Sequence, residues 1–281
     1  MSQQQSRRRI KEGRRSAIVL PFVLDNPNNK SKGEQMGKRA QVVTHPTSQT
    51  NKLKIRIDDL YTFDPLTETQ KHFYDIYKEG NKAIMLHGVA GTGKTFIALY
   101  KALEEVLDKS TPYDKIIIVR SVVQTRDMGY LPGTEKEKAE VFQRPYIDIC
   151  QMLFGKPQAF ERLQEQGVIE FMTTSFIRGV TFDRAIIIVD ESQNMSFQEL
   201  SSVITRIGEG SKIILCGDFR QTDLVKKYDI SGLKKMLNIS RKMPSFRNVE
   251  FCIEDIVRSD IVKEFIIATM EYEDNNNEPK S

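Results

Sequence analysis

His87-Gly88-Val89-Ala90-Gly91-Thr92-Gly93-Lys94-Thr95 carries the pattern G-x-x-x-x-G-K-T, and its flanks decide the fold. Before it, Ala83-Ile84-Met85-Leu86 is a short apolar run that reads as a buried parallel strand. After it, Ile97, Leu99, Tyr100, Leu103, Val106 and Leu107 recur at helical spacing between Phe96 and Leu107. A strand, a glycine-rich turn and a helix start form the context in which this pattern is a phosphate site. The glycines let the backbone close around an anion, and successive N–H groups with the helix N-terminus point at it. Gly88, Val89, Ala90, Gly91, Thr92 and Gly93 are therefore expected to cradle the phosphates of a nucleoside triphosphate. Lys94 would reach the β- and γ-phosphates and Thr95 would hold Mg²⁺.

Working outward, Val-, Ile- and Leu-rich runs alternate with longer helical patterns from about Lys52 onward. That alternation predicts an α/β fold of three layers, a parallel sheet with helices on both faces. Strands are expected at Ala83–Leu86, Lys115–Val119, Val168–Met172, Ala185–Val189, Lys212–Leu215 and Val249–Ile253. Helices are expected around Thr67–Tyr77, Thr95–Leu107, Glu135–Phe154, Ser196–Arg206 and Ile256–Met270, with Pro145 bending or splitting the third. The organisation read from composition is a basic arm over residues 1–56, one ATPase-type domain over 57–270 and a frayed acidic tail over 271–281.

The charge is distributed unevenly. Residues 1–56 hold 13 Lys/Arg and 3 Asp/Glu, a charge of +10, while the remainder holds 29 and 35 and carries −6. Such an arm can engage the phosphates of RNA or DNA in a salt-dependent way, or serve as a solubilising or docking tail. No apolar run approaches eighteen residues, so no membrane span is expected, and the basic start lacks the apolar segment of a secretory signal. Cys150, Cys216 and Cys252 have no metal-type spacing and read as reduced, mostly buried thiols of a cytoplasmic protein.

Ala185-Ile186-Ile187-Ile188-Val189-Asp190-Glu191 is the second chemical motif. It describes a buried strand with two acids at its carboxyl end, the edge where ligands bind in open α/β sheets. Asp190 would hold Mg²⁺, and Glu191 would orient and deprotonate the water that attacks the γ-phosphorus. A third string, Gly217-Asp218-Phe219-Arg220-Gln221, resembles motif III of superfamily 1 helicases, which places Gln221 at the γ-phosphate. Gln70, eighteen residues before Gly88, is placed like the adenine-reading glutamine of helicase Q motifs.

Taken in order, these strings resemble the PhoH family of P-loop ATPases. The resemblance covers about residues 60–270 and rests most on Gly129-Tyr130-Leu131-Pro132-Gly133, Arg178-Gly179-Val180-Thr181-Phe182 and Asp190-Glu191-Ser192-Gln193-Asn194, with Asp255-Ile256-Val257-Arg258 last in the order. Ser192 stands where that family usually has alanine, and in length the chain looks most like PhoH-like proteins of bacterial viruses, which would put it in the host cytoplasm. No PIN or KH-like module precedes the motifs, so no built-in ribonuclease is expected. The resemblance implies a RecA-like fold, ATP and Mg²⁺ binding, ATP hydrolysis and an association with RNA.

A single RecA-like domain lacks a second domain to supply an arginine finger, which is worth roughly 10³–10⁵ in rate. The expectation is therefore a homo-oligomer, with a hexameric ring as one form, in which an arginine acts in trans. Arg258 is the first candidate, opening the final helix, and Arg120, Arg126 and Arg178 are the others. The loop Arg126–Gly133, followed by Lys136, Lys138 and Arg144, is a candidate contact for single-stranded RNA or DNA. Two function classes follow: an ATPase acting on RNA in a helicase-like way, or a nucleotide-dependent oligomeric switch without unwinding activity.

Overall fold

The computed structural model describes residues 54–121, 135–177, 179–218 and 231–277. Within them, the apolar runs become strands β1 (Ala83–Gly88), β2 (Lys115–Arg120), β3 (Ile169–Thr173), β4 (Ala185–Asp190), β5 (Lys212–Gly217) and β6 (Phe246–Phe251). They form one sheet in the order β3-β2-β4-β5-β1-β6, with every described pairing parallel. The strand bearing the two acids, β4, is separated from the phosphate-loop strand β1 by β5 alone. This is the RecA-like arrangement expected from the sequence.

Parity along the strands sorts the core into two layers. Ile84, Leu86, Ile116, Ile118, Ile186, Ile188 and Ile214 face one side, where they meet helices α1 (Glu68–Lys78), α2 (Lys94–Leu107), α3 (Glu135–Phe154) and α4 (Ala159–Glu165). Met85, Ile117, Val119, Ile187, Val189, Ile213 and Leu215 face the other, against α5 (Phe197–Ile204) and α6 (Ser231–Ser240). Because both faces are covered, the strands read as unbroken apolar runs rather than alternating ones.

The helix ends follow local chemistry. Thr67 caps α1, its hydroxyl accepting from Gln70 N at 3.2 Å, and Ser196 and Glu199 form a capping box at α5. Pro145 does not split α3, which runs unbroken for 20 residues. The proline lies on the exposed side, where the carbonyl it orphans can be hydrated, while Tyr146, Ile149, Cys150 and Leu153 anchor the opposite side in the core.

The last helix also departs from expectation. Ile253–Asp255 is a 3₁₀ turn and residues 256–259 are irregular chain with a bend at Arg258, so Arg258 precedes the helix instead of opening it. Helix α7 runs Asp260–Asn277, continuing through residues that composition reads as a frayed tail. Helices α4 and α6 were not anticipated, and β6 begins three residues earlier than its apolar pattern indicates.

Candidate functional site

The carboxyl ends of β1, β4 and β5 meet at the glycine-rich loop. Gly88 ends β1 at φ +118°, and a Cβ there would sit 2.1 Å from the Phe251 carbonyl oxygen. Only glycine allows β6 to approach this closely, and the approach is locked by Val89 N donating to Phe251 O at 3.0 Å. The loop then turns into α2, whose first residue is Lys94.

Lys94 curls into the loop that precedes it. Its ammonium donates to Val89 O at 2.6 Å, Gly88 O at 3.2 Å and Thr92 Oγ1 at 3.3 Å. Burial pushes its pKa down, while Asp218, Cys216, Glu191 and Asp190 pull it back up. All three donors of the lysine are thus used on the concave side of the loop, where phosphate oxygens would replace the carbonyls.

The next residue joins the two motifs. Thr95 Oγ1 donates to Asp190 Oδ1 at 2.7 Å. These are a hydroxyl and a carboxylate, hard oxygen donors suited to Mg²⁺, which commonly takes one or two protein oxygens and completes its shell with phosphates and waters. Among the described residues no group of three or more His, Cys, Asp or Glu could hold a metal by itself. The donor set therefore fits a Mg²⁺ that arrives with a nucleotide.

Glu191 follows Asp190 in the left-handed region, at φ +50°. A non-glycine residue there is strained, and such strain is retained where the surroundings dictate it. Gln193 supplies the constraint: its Nε2 donates to Glu191 Oε2 at 2.5 Å, and its Oε1 accepts from Asp218 N at 3.0 Å. Burial and the neighbouring Asp190 push the Glu191 carboxyl above the usual range, opposed by Arg120, Gln193 and Lys94. Ser192 uses its hydroxyl to donate to Cys216 O at 2.8 Å, tying the same turn to β5.

The structure adds residues that sequence reading did not place at this site. Tyr146 of α3 is fully buried and donates its hydroxyl to Asp190 Oδ2 at 2.8 Å. Arg120, a candidate for action in trans, lies near Tyr146, and although burial opposes it, Tyr146, Asp190 and Glu191 raise its guanidinium pKa. Arg120 therefore lies beside the acids of its own chain. Glu199 accepts from Thr174 Oγ1 at 2.7 Å and Ser121 Oγ at 3.1 Å, joining the ends of β3 and β2 to α5.

Gln70 is a brace in this structure. Its Nε2 donates to Thr92 O at 3.0 Å and its Oε1 accepts from Leu66 N at 2.8 Å, which leaves one amide N–H for a base. Behind it, the buried carboxylate of Asp255 accepts from Cys252 N at 2.9 Å and from Cys252 Sγ at 3.1 Å. Val257 N donates to Gly91 O at 3.0 Å, and a Cβ on Gly91 would lie 3.1 Å from Arg258 Cγ. The Arg258 stem thus packs on the phosphate loop of its own subunit, although it was expected to reach a neighbour.

Gln221, Arg126, Arg178 and the loop Arg126–Gly133 lie outside the described residues, as do residues 1–53 of the basic arm and the side chains of Lys136 and Lys138. Arg144 forms an exposed ion pair with Asp148 at 3.1 Å, an ordinary i,i+4 surface contact. Cys150 and Cys216 are buried free thiols, whereas Cys252 is exposed, its thiol pushed up to about 11 by hydrogen bonds with Glu254 and Asp255. Among the described residues no helix is long and apolar enough to cross a membrane.

Comparison with known proteins adds the following. The family described as PhoH-like protein matches residues 62–270. A PhoH-like protein of Mycobacterium leprae is 33% identical over 216 residues, covering 76% of this chain and 60% of the relative. One from Bacillus subtilis is 37% identical over 186 residues, covering 64% and 56%, and Protein PhoH of Escherichia coli is 35% identical over 194, covering 68% and 54%. The matches thus span little more than half the length of these curated relatives. Among solved structures, the large terminase of a thermophilic bacteriophage in complex with ADP overlaps 72% of this chain and 49% of its own, at 13% identity and TM-score 0.46.

Proposed function

Because this chain belongs to the PhoH-like family, we propose that it is a Mg²⁺-dependent ATPase whose turnover is coupled to single-stranded RNA. The observation that carries the hydrolytic part is the contact between Thr95 and Asp190, with Lys94 in the loop on one side and Glu191 on the other. ATP enters with its phosphates in the loop, displacing the carbonyls from the Lys94 ammonium. Thr95 and Asp190 would hold Mg²⁺, which supplies charge neutralisation at the β- and γ-phosphates.

Glu191 positions the attacking water. The water oxygen bonds to the γ-phosphorus as the bridging P–O bond breaks, ADP departs with the bonding electrons, and Glu191 takes the proton. Gln193 sits between that base and Asp218, the first residue of the segment that leads to Gln221. This supports the helicase-like reading, in which occupancy of the γ-phosphate position is relayed beyond the site. The basic arm supports a nucleic-acid partner through charge.

The test is steady-state ATP hydrolysis with and without single-stranded RNA, beside Lys94→Ala and Glu191→Gln. Stimulation by RNA that vanishes in both variants is the expected result. Hydrolysis indifferent to RNA or DNA would replace the coupled ATPase with an oligomeric switch that hydrolysis merely resets.

A further inference from the structure

Asp190 has two carboxylate oxygens, and the structure gives each a different task. Oδ1 accepts from Thr95 on the side of the phosphate loop, and Oδ2 accepts from Tyr146 at 2.8 Å on the side of α3. We infer that Tyr146 is a positioning residue for the metal-holding carboxylate; this rests on the Mg²⁺-dependent ATPase reading.

The physical case begins with rotation. A carboxylate at the end of a strand turns freely about its last single bond unless both oxygens are held. Thr95 alone would leave it free to swing when Mg²⁺ claims the threonine hydroxyl. Tyr146 holds the oxygen that faces away from the loop, so Oδ1 keeps its direction as its partners change.

The phenol is itself well held. Its side chain is fully buried, and its ring lies 5.8 Å from that of Phe171 on β3. Arg120, opposite Asp190 in the β2–β4 register, lies near the same hydroxyl. A carboxylate can only accept, so the single proton of the hydroxyl is directed to Asp190. The contact joins α3 to the end of β4. Neither Tyr146 nor Arg120 is near Asp190 in sequence, and no part of the G-x-x-x-x-G-K-T string includes them.

If Tyr146 merely filled space, phenylalanine would serve as well, because the ring and its packing survive. The experiment uses the full chain, with binding of a fluorescent ADP analogue followed as Mg²⁺ is titrated and again in excess EDTA. Tyr146→Phe is expected to raise the half-saturating Mg²⁺ concentration on the order of tenfold, the scale seen when a group behind a metal ligand is removed. Its affinity for the analogue in EDTA is expected to stay at the wild-type value.

Tyr146→Leu also lacks the hydroxyl but packs differently, so it should show the same Mg²⁺ shift whatever its melting temperature. An unchanged Mg²⁺ dependence in Tyr146→Phe, or shifts in the two variants that follow stability instead of hydroxyl loss, overturns the inference. Nucleotide binding by the wild type that ignores Mg²⁺ removes the ATPase reading as well, a separate and recognisable result.

Discussion

Thr95 and Asp190 stand ninety-five residues apart in sequence and are joined side chain to side chain by a 2.7 Å hydrogen bond. The bond shows that the loop after β1 and the end of β4 are brought side by side. Asp190→Asn keeps the shape but halves the acceptor capacity and removes the charge. It is expected to lower Mg²⁺-dependent hydrolysis by roughly 10²-fold or more, with nucleotide binding in EDTA kept. Isothermal titration with and without Mg²⁺ separates the two effects.

Glu191 and Gln193 are joined by a 2.5 Å hydrogen bond whose two ends can be removed separately. Glu191→Gln should reduce kcat by roughly 10²–10⁴ while nucleotide affinity changes little, the range for a lost general base. Gln193→Ala leaves the carboxylate in place but removes its hold and its link to Asp218 N. A fall in kcat near tenfold at unchanged KM is expected, together with weaker stimulation by RNA. Wild-type stimulation in Gln193→Ala would show that the relay does not pass through this amide.

Gly88→Ala tests the joint between the loop strand and the edge strand. The added carbon would fall 2.1 Å from Phe251 O and 2.8 Å from Phe251 N, at a backbone angle that L-residues avoid. The backbone of β6 cannot yield without losing its pairing with β1. We expect destabilisation above about 4 kcal/mol, read by urea unfolding, beyond the ordinary range of single substitutions.

Arg258 offers a clean distinction between one subunit and two. With its stem on Gly91 of the same chain, Arg258→Ala should cost activity by roughly 10²-fold, short of a full arginine finger at roughly 10³–10⁵. Equal mixtures of Arg258→Ala and Lys94→Ala protein should recover nothing, because no subunit then has both groups. Recovered turnover in the mixture would place the arginine in a neighbour's site.

Far from the site, Lys212 is 1% exposed and pairs with Glu105 at 2.8 Å, its ammonium 3.7 Å from the centre of the Tyr77 ring. Burial lowers the lysine pKa, and Glu105 counters it. Glu105→Gln would leave a buried cation with only a neutral partner. Because Glu105 is partly exposed, the expected loss is about 2–3 kcal/mol, below the 3–5 typical of fully buried pairs. The sign with pH is definite: the folded state holds this proton less tightly than the unfolded one, so the loss shrinks as pH rises toward the ordinary lysine range. Urea unfolding of both proteins across that pH range reads the difference.

How much of this could be read beforehand depended on the range of each interaction. Strands β2, β4 and β5 are buried on both faces, so burial writes itself into consecutive residues such as Ile186-Ile187-Ile188-Val189. The loop was legible because its glycines and Lys94 are neighbours in sequence. Tyr146 was not, since its meaning arises only when α3 crosses β4, and along the chain it is one apolar position of a helix. Helix α4 has seven residues, too few for periodicity to stand out. In β6 the pattern of buried Phe246, Val249 and Phe251 is irregular because the strand lies at the sheet edge. Pro145 misled for a related reason: the rule for helix interiors assumes a carbonyl that cannot find water, and this one faces out.

The curled Lys94 has a consequence for energetics. A loop with no internal cation would close on itself or collect bulk anions, and would have to be reshaped at each encounter. Here the loop is held open around a tethered ammonium that acts as a placeholder. Nucleotide binding is then a ligand exchange: three carbonyl and hydroxyl contacts are surrendered as phosphate contacts form. Measured affinity reports only the difference between those two sets. A modest dissociation constant would therefore conceal strong individual contacts, and the release of spent nucleotide would be eased by the lysine returning to partners that never left.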